Sequence, residues 1–271
     1  MGDRARPAGN AQVRAAYGEH VRVAVEGHVA VVTMDKPPHN FVSVQFLRDL
    51  ADTLDDADAD PEIRALVLQA DGPSFCAGAD FSAPGEAGGT TDGIPALYAE
   101  AIRLYSNTKP IVAAIQGAAV GAGLGLALAA DFRVASPEAR FVANFVKLAF
   151  HAGFGISMML PRLIGEQKAS LMLLTGRRIK GEEALEWGLA DQLVPAGELR
   201  AAALALANEI AEGAPLAIVA TRMTLRGDLG EAIRRSTAEE YRIQSVLNKT
   251  EDFAEGVKAV AERRPGNFKG R

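Results

Sequence analysis

The sequence has little of what several classes of protein require. Its single cysteine, Cys76, excludes an internal disulfide framework and favours a reducing compartment. Four scattered histidines beside that one cysteine give no spacing typical of a zinc site. With 29 basic and 34 acidic residues, the formal net charge is −5, and no basic stripe suited to nucleic acid is present. We therefore expect no metal site and no nucleic-acid partner.

The beginning of the chain, MGDRARPAGNAQVRAAYGEH, lacks the apolar stretch of a secretory signal. We expect a cytoplasmic protein whose residues 1–18 form a loose arm. A transit peptide is the alternative, since arginines recur there, although serines do not.

Long uncharged runs are also scarce, and one stands out between Lys109 and Asp131. It is long enough to span a membrane, and glycines at positions 117, 121 and 125 repeat the spacing that packs transmembrane helices. No other segment approaches a span, so we favour a soluble core and expect no membrane partner.

As a soluble core, the same run divides into a strand, a glycine turn and a helix. Ile111–Ile115 is rich in β-formers, Gln116 and Gly117 interrupt it, and Leu124–Ala130 consists of helix formers. The first N–H groups of such a helix have no internal partner and stabilise an anion, or an oxygen that becomes one. Neither nucleotide-phosphate glycine motif can be found here, so a phosphate loop is not expected.

Strands and helices alternate up to about residue 135, which predicts an α/β fold with parallel strands joined by crossovers. After Arg140, strands become rare. The predicted helices there are Ile156–Leu163, Gln167–Thr175, Gly181–Trp187, Leu199–Glu212, Leu216–Arg226, Gly230–Leu247 and Glu251–Glu262. The part after residue 200 is too small and helical to hold much core alone, so we expect it to pack on a partner subunit.

Four segments resemble the crotonase superfamily, the enoyl-CoA hydratase/isomerase family. They are SFCAGADF at 74–81, KPIVAAIQGAAVGAGLGLALAADFRVA at 109–135, LPRLIGEQKASLMLLTGRRIKGEEALEWGLADQLVP at 160–195 and TEDFAEGVKAVAERRPGNFKG at 250–270. The resemblance covers about residues 20–271. It implies a crotonase (ClpP-like) spiral of ββα units over 19–199 and a helical C-terminal trimerisation region over 200–271. A homotrimer or a dimer of trimers is therefore expected.

The resemblance also implies a site for an acyl-CoA thioester. In the family, two backbone N–H groups hold the thioester oxygen and its enolate, and by motif position these belong to Ala79 and Ala122. Ala77, Asp80 and Lys269 are assigned to the coenzyme A part of the substrate, and no tightly bound cofactor is expected. A structural cap is the alternative role for Asp80, and a solvated tail residue is the alternative for Lys269.

The sequence departs from the family at its acidic residues. The two glutamate positions of family hydratases hold Gly125 and Phe145, and Gly153 stands where some isomerases have an aspartate. Paired carboxylates let a hydratase position water and exchange a proton, so hydration by that route is not implied here.

Other side chains are candidates to replace those carboxylates. His151 is the first choice as general base, because histidine titrates near neutrality, and its alternative is a loop histidine bonded to a backbone carbonyl. His39 is the second choice. Asn144 and Ser157 are candidates to position water or a substrate group.

The leading hypothesis is thus an acyl-CoA enzyme that stabilises a thioester enolate. A CoA-thioester or β-diketone hydrolase with His151 as base, and a non-catalytic acyl-CoA binding protein, are the alternatives. Phe145, Phe150 and Phe154 predict an apolar pocket for the acyl group.

Overall fold

The computed structural model describes residues 12–79 and 93–271. Its strands are β1 Gln12–Tyr17, β2 Val21–Glu26, β3 Val29–Met34, β4 Ala65–Ala70, β5 Ser74–Cys76, β6 Ile111–Ile115, β7 Ala118–Val120, β8 Phe132–Ala135, β9 Arg140–Val142, β10 Arg178–Lys180 and β11 Gln192–Leu193. Its helices are α1 Val44–Ala59, α2 Ile94–Ser106, α3 Ala122–Ala129, α4 Ile156–Ile164, α5 Glu166–Thr175, α6 Gly181–Trp187, α7 Leu199–Ala211, α8 Pro215–Arg226, α9 Leu229–Leu247 and α10 Glu251–Ala261. The mixed α/β fold predicted from the sequence is confirmed.

Two sheets organise these elements. The larger has seven strands in the order β1-β2-β3-β4-β6-β8-β11, and the smaller has four in the order β10-β9-β7-β5. β1, β2 and β3 pair antiparallel, whereas β3, β4, β6, β8 and β11 pair parallel, as the crossover pattern predicts. In the smaller sheet β5, β7 and β9 are parallel, so the C-terminal ends of β5 and β7 lie side by side.

Both faces of the large sheet are covered, which explains why its central strands are almost wholly apolar. Side chains alternate along each strand, so Ala30 and Val32 join the main core while Val29 and Val31 join a second cluster on the opposite face. Helix α7 closes that second cluster with Leu199 and three buried alanines.

The loose arm predicted for residues 1–18 is wrong for its last part. Gln12–Tyr17 form β1, which pairs antiparallel with β2 from Gln12–Val25 to Tyr17–Val21. The backbone groups of β2 would otherwise lie at an open sheet edge, and β1 satisfies them. Residues 1–11 lie outside the described part of the chain.

The C-terminal helices pack more on their own chain than the sequence predicts. α7 covers the large sheet, α9 packs along α2, and α10 packs on a 3-10 turn at Asn144–Leu148. A boundary at residue 200 therefore falls inside one packed unit. α8 is the exception, since Arg222 is its one buried residue.

The uncharged run between Lys109 and Asp131 forms two strands and an eight-residue helix, so the membrane-span alternative is wrong for this segment. The strand β7 fills the break that the sequence predicts after Ile115, and α3 begins at Ala122. Among the described helices, none alone is long and apolar enough to cross a membrane. One bent pair, Ala196–Ala211 with Pro215–Leu247, passes that test by length and composition.

Candidate active site

The first loop of the site follows β5. A Cβ on Gly78 would lie 2.6 Å from the carbonyl oxygen of Val120, so only glycine allows the two loops to approach this closely. The carbonyl of Gly78 accepts a hydrogen bond from the N–H of Val42 at 2.9 Å, and Ala77 donates to the carbonyl of His39 at 3.0 Å. These bonds hold the backbone that carries Ala79.

Burial also determines the protonation state of the Cys76 thiol at the end of β5. It is fully buried and its pKa is raised to about 12 by desolvation, with a backbone hydrogen bond from Gly78 opposing part of that effect. The thiol is therefore neutral near pH 7 and is not an activated nucleophile.

The second loop lies between β7 and α3. Gly121 has φ +52° and donates its N–H to the carbonyl of Val142 at 2.9 Å. The first bond of α3 runs from the N–H of Gly125 to the carbonyl of Gly121 at 3.1 Å. Ala122 is thus the first residue of the helix, and its N–H has no partner within α3, as the sequence predicts.

Ala79 and Ala122 line one cavity of about 480 Å³. The other described residues that line it are Phe41, Ala77, Gly78, Ile94, Leu97, Tyr98, Val120, Gly121, Asn144, Phe145, Leu148, Phe150, Gly153, Phe154, Gln244, Val257, Val260 and Ala261. Most are apolar, and the apolar pocket predicted from the three phenylalanines is present. Among these described lining residues there is no carboxylate, imidazole or basic side chain, and the polar ones are Tyr98, Asn144 and Gln244.

Two of those polar side chains are hydrogen bonded to each other and to the backbone. The hydroxyl of Tyr98 on α2 donates to Oε1 of Gln244 on α9 at 2.8 Å, and Nε2 of Gln244 donates to the carbonyl of His151 at 2.9 Å. Burial raises the pKa of Tyr98 far above its ordinary value, with the nearby Glu240 carboxylate adding to the effect, so the phenol stays neutral. Nothing local in the sequence points to this pair, because its members are 146 residues apart.

Aromatic side chains crowd the positions that the family resemblance aligns with acids. A Cβ on Gly125 would lie 2.5 Å from Cδ1 of Phe154, and a Cβ on Gly153 would lie 2.0 Å from the hydroxyl oxygen of Tyr98. Phe145 itself forms part of the cavity wall. Large aromatic side chains therefore fill the space that side chains at 125 and 153 would need.

His151 does not line the cavity among the described residues. Its Nδ1 lies 2.7 Å from the carbonyl oxygen of Ala152, which is the bonded loop histidine that the sequence leaves as the alternative. His39, the second choice for a base, has its Nδ1 3.2 Å from the hydroxyl of Ser74 and is also absent from the lining.

A buried carboxylate with no local signal in the sequence contacts the loop that follows Phe154. Glu240 on α9 is 1% exposed and accepts hydrogen bonds from the N–H of Gly155 at 2.9 Å and from the Ser157 hydroxyl at 2.5 Å. Desolvation raises its pKa, while these hydrogen bonds and His151 partly offset the rise. Glu240 thus anchors the start of α4 and the loop before it. The hydroxyl of Ser157, a candidate to position water, is already hydrogen bonded to Glu240.

The residues predicted to bind coenzyme A are only partly brought together. Ala77 lines the cavity, and Asp80 lies outside the described residues. Lys269 is exposed in the C-terminal tail, where its Nζ lies 2.9 Å from Oδ1 of Asn267 and its N–H donates to Asp252 at 2.6 Å. No group of three or more possible metal ligands occurs among the residues that the structure describes.

The sequence also matches a known protein family. Residues 24–271 match the family model for enoyl-CoA hydratase/isomerase. The chain is similar to (E)-benzylidenesuccinyl-CoA hydratase of Thauera aromatica, with 38% identity over 92% of this chain and 99% of that protein.

Solved structures agree. Enoyl-CoA hydratase/isomerase from Pseudoalteromonas atlantica T6c superposes with a TM-score of 0.84 at 28% identity, covering 93% of this chain and 100% of the other. Carnitinyl-CoA hydratase from Mycobacterium avium gives 0.83 at 34% identity, covering 93% and 99%. The chain belongs to the enoyl-CoA hydratase/isomerase family.

Proposed function

We propose that this family member binds an acyl-CoA thioester with its carbonyl oxygen between the N–H groups of Ala79 and Ala122, and stabilises the enolate formed there. The observation that carries the proposal is that both residues line one cavity, where they follow neighbouring parallel strands. A pair of preorganised N–H donors is the arrangement that stabilises a developing oxyanion.

Helix α3 strengthens the second donor. Ala122 is its first residue, so the partial positive charge at the helix N-terminus lies beside the developing negative charge. Loss of one such donor costs about 3 kcal/mol of transition-state stabilisation in enzymes of this type.

The acyl group occupies the apolar part of the cavity. The names of the relatives favour a 2-enoyl-CoA, or the corresponding 3-hydroxyacyl-CoA, as the reacting thioester. Hydration by two carboxylates is not supported, because positions 125 and 145 are glycine and phenylalanine and Phe154 occupies the space beside the first. We expect tight thioester binding with hydration far slower than in a two-glutamate enzyme.

Coenzyme A extends from the cavity as part of the substrate rather than as a resident cofactor. Ala77, Asp80 and Lys269 remain its proposed contacts, and Lys269 supplies a positive charge to the phosphates from its exposed position. Its ammonium group has to leave Asn267 to do so, which is a small cost at an exposed site.

Hydrolysis with His151 as base is less favoured than enolate stabilisation. The bond between its Nδ1 and the Ala152 carbonyl fixes the ring outside the described lining, where it does not face a bound thioester. Non-catalytic acyl-CoA binding is an outcome of the test below rather than a separate proposal.

A homotrimer, or a dimer of trimers, remains the proposed assembly. It is supported by α8, where Leu216 is 85% exposed and Leu225 is 74% exposed. A second subunit packed on α8 would bury these large apolar side chains.

The test is to incubate purified protein with crotonyl-CoA and 2-hexenoyl-CoA, and to follow hydration, isomerisation, free CoA release and binding. Binding with slow addition or isomerisation and no CoA release supports the proposal. Rapid CoA release would favour the hydrolase, and binding without any conversion would favour the binding protein. Affinity no better than that of free CoA would contradict thioester binding altogether.

A further inference from the structure

We propose that Asn144 determines specificity at this site, by binding the oxygen atom attached to C3 of the acyl group. In a 3-hydroxyacyl-CoA this oxygen is the hydroxyl group. In hydration of a 2-enoyl-CoA it belongs to the water molecule that adds to C3. The inference rests on the proposed function and names one side chain and one substrate atom within it.

The position of Asn144 follows from the backbone. The carbonyl of Val142 accepts the N–H of Gly121, so the end of β9 is attached to the residue that precedes Ala122. Asn144 is two residues further on, within about 7 Å of chain length from that bond. It opens the 3-10 turn at Asn144–Leu148 and lines the same cavity as Ala79 and Ala122. C3 of a thioester is two bonds from its carbonyl carbon, so its oxygen falls near this wall.

The carboxamide of Asn144 is available for a ligand. Within the described part of the chain it makes no hydrogen bond, although the residue is half-buried. The other polar side chains of the described lining are engaged, because Tyr98 donates to Gln244 and Gln244 donates to the carbonyl of His151. Asn144 is therefore the polar side chain of that lining that a substrate oxygen can engage without breaking a protein hydrogen bond.

The chemistry of a carboxamide suits this role. Its NH₂ group donates and its oxygen accepts, so it binds either a hydroxyl group or water. It does not take up a proton, which separates its role from that of a general base. The other polar side chains of the described lining are already paired, so a buried substrate hydroxyl without Asn144 would lose its hydration and gain no hydrogen bond. Asn144 accordingly favours acyl groups that carry oxygen at C3 over saturated ones.

The test compares ligands with and without a C3 hydroxyl in proteins with and without the Asn144 side chain. Dissociation constants of hexanoyl-CoA and of each enantiomer of 3-hydroxyhexanoyl-CoA are measured calorimetrically for the native protein and for Asn144→Ala. The enoyl absorbance of the same samples shows how much ligand has been converted. The matched control is Asn208→Ala, an exposed asparagine on α7 outside the cavity lining.

In the native protein, one enantiomer of 3-hydroxyhexanoyl-CoA should bind more tightly than hexanoyl-CoA. The ratio of these two affinities should be about tenfold larger in the native protein than in Asn144→Ala, as expected for one buried hydrogen bond. Hexanoyl-CoA itself should bind both proteins within about twofold, and Asn208→Ala should match the native protein. That constancy also reports that Asn144→Ala is folded.

Two results would overturn the inference alone: equal preference for the hydroxylated ligand in both proteins, or no such preference in the native protein. If no thioester binds better than free CoA, the proposed function fails first, and the two failures are thereby distinguished.

Discussion

Replacing Ala122 with proline tests the oxyanion site with little disturbance to the fold. Proline has no N–H, and the first position of a helix is where it is accepted most readily. Ala122 is the first residue of α3, and the helix does not use its N–H. The variant therefore deletes one proposed donor while the helix ladder, which starts with Gly125 donating to Gly121, remains intact.

The expected effect can be stated for catalysis and for folding separately. Loss of one of two oxyanion donors should lower kcat by about 10²- to 10³-fold, which corresponds to about 3–4 kcal/mol. The free energy of unfolding should change by less than about 1 kcal/mol, since the φ of a first helical residue is close to that of proline. A large kinetic loss with small stability loss is the signature of a missing donor.

Two assays report on the donor. The first is hydration of 2-hexenoyl-CoA. The second is exchange of the α-protons of hexanoyl-CoA in deuterium oxide, followed by NMR, in which an α-proton is lost to solvent and a deuteron is added to the enolate without addition of water. Glu166→Pro is the matched control, because Glu166 is an exposed first residue of α5 that also follows a glycine. It should keep both rates.

A folded Ala122→Pro protein with unchanged hydration and exchange rates would contradict an oxyanion role for the Ala122 N–H. Ala122 would then be a structural turn residue, and the cavity would hold its ligand in some other orientation. A loss of activity equal to that of Glu166→Pro would point to general damage by proline.

Other expectations concern the surroundings of the site. Gly125→Glu should destabilise the fold by at least about 1–3 kcal/mol in urea titration, because its Cβ would meet Phe154, and Phe154→Ala in the same chain should recover part of that loss. Burial raises the pKa of Glu240 above its ordinary 4.5, so the native state binds the proton more tightly and stability should fall as pH rises through and above that value. Glu240→Gln should lack that fall, and the melting temperatures from pH 4 to 8 should diverge in favour of the variant; parallel curves would contradict the argument. His151→Gln should keep activity within about twofold, whereas a loss of about 10²-fold would restore the general-base hypothesis. Leu225→Glu should shift the sedimentation profile towards monomer, and an unchanged profile would exclude α8 from the interface.

Much of the architecture follows from local sequence. The alternation of apolar strands with helices predicted the parallel sheet. At the start of α1 the Ser43 side chain accepts the N–H of Phe46, a local cap of the kind serine favours. A helix in this run was also predicted from the helix formers at Leu124–Ala130, and α3 begins two residues earlier, at Ala122. These signals lie within a few residues of the feature that they specify.

Residue identity at the site is likewise a property of the sequence. Glycine at 125 and phenylalanine at 145 are visible without a structure, and so is the apolar character of Phe150 and Phe154. Short strands such as β1 and β7 were missed, since a segment of three to six residues is stabilised by its neighbours in the sheet rather than by its own pattern.

The role of each polar side chain, by contrast, depends on long-range packing. His151 was the leading base by elimination, and packing turned its ring to the Ala152 carbonyl. Tyr98 and Gln244 meet across 146 residues, and Glu240 reaches Gly155 across 85, distances over which sequence periodicity carries no information. Whether a polar side chain is already hydrogen bonded or is available to a ligand depends on the long-range partners that surround it, and those partners are set by the packed fold.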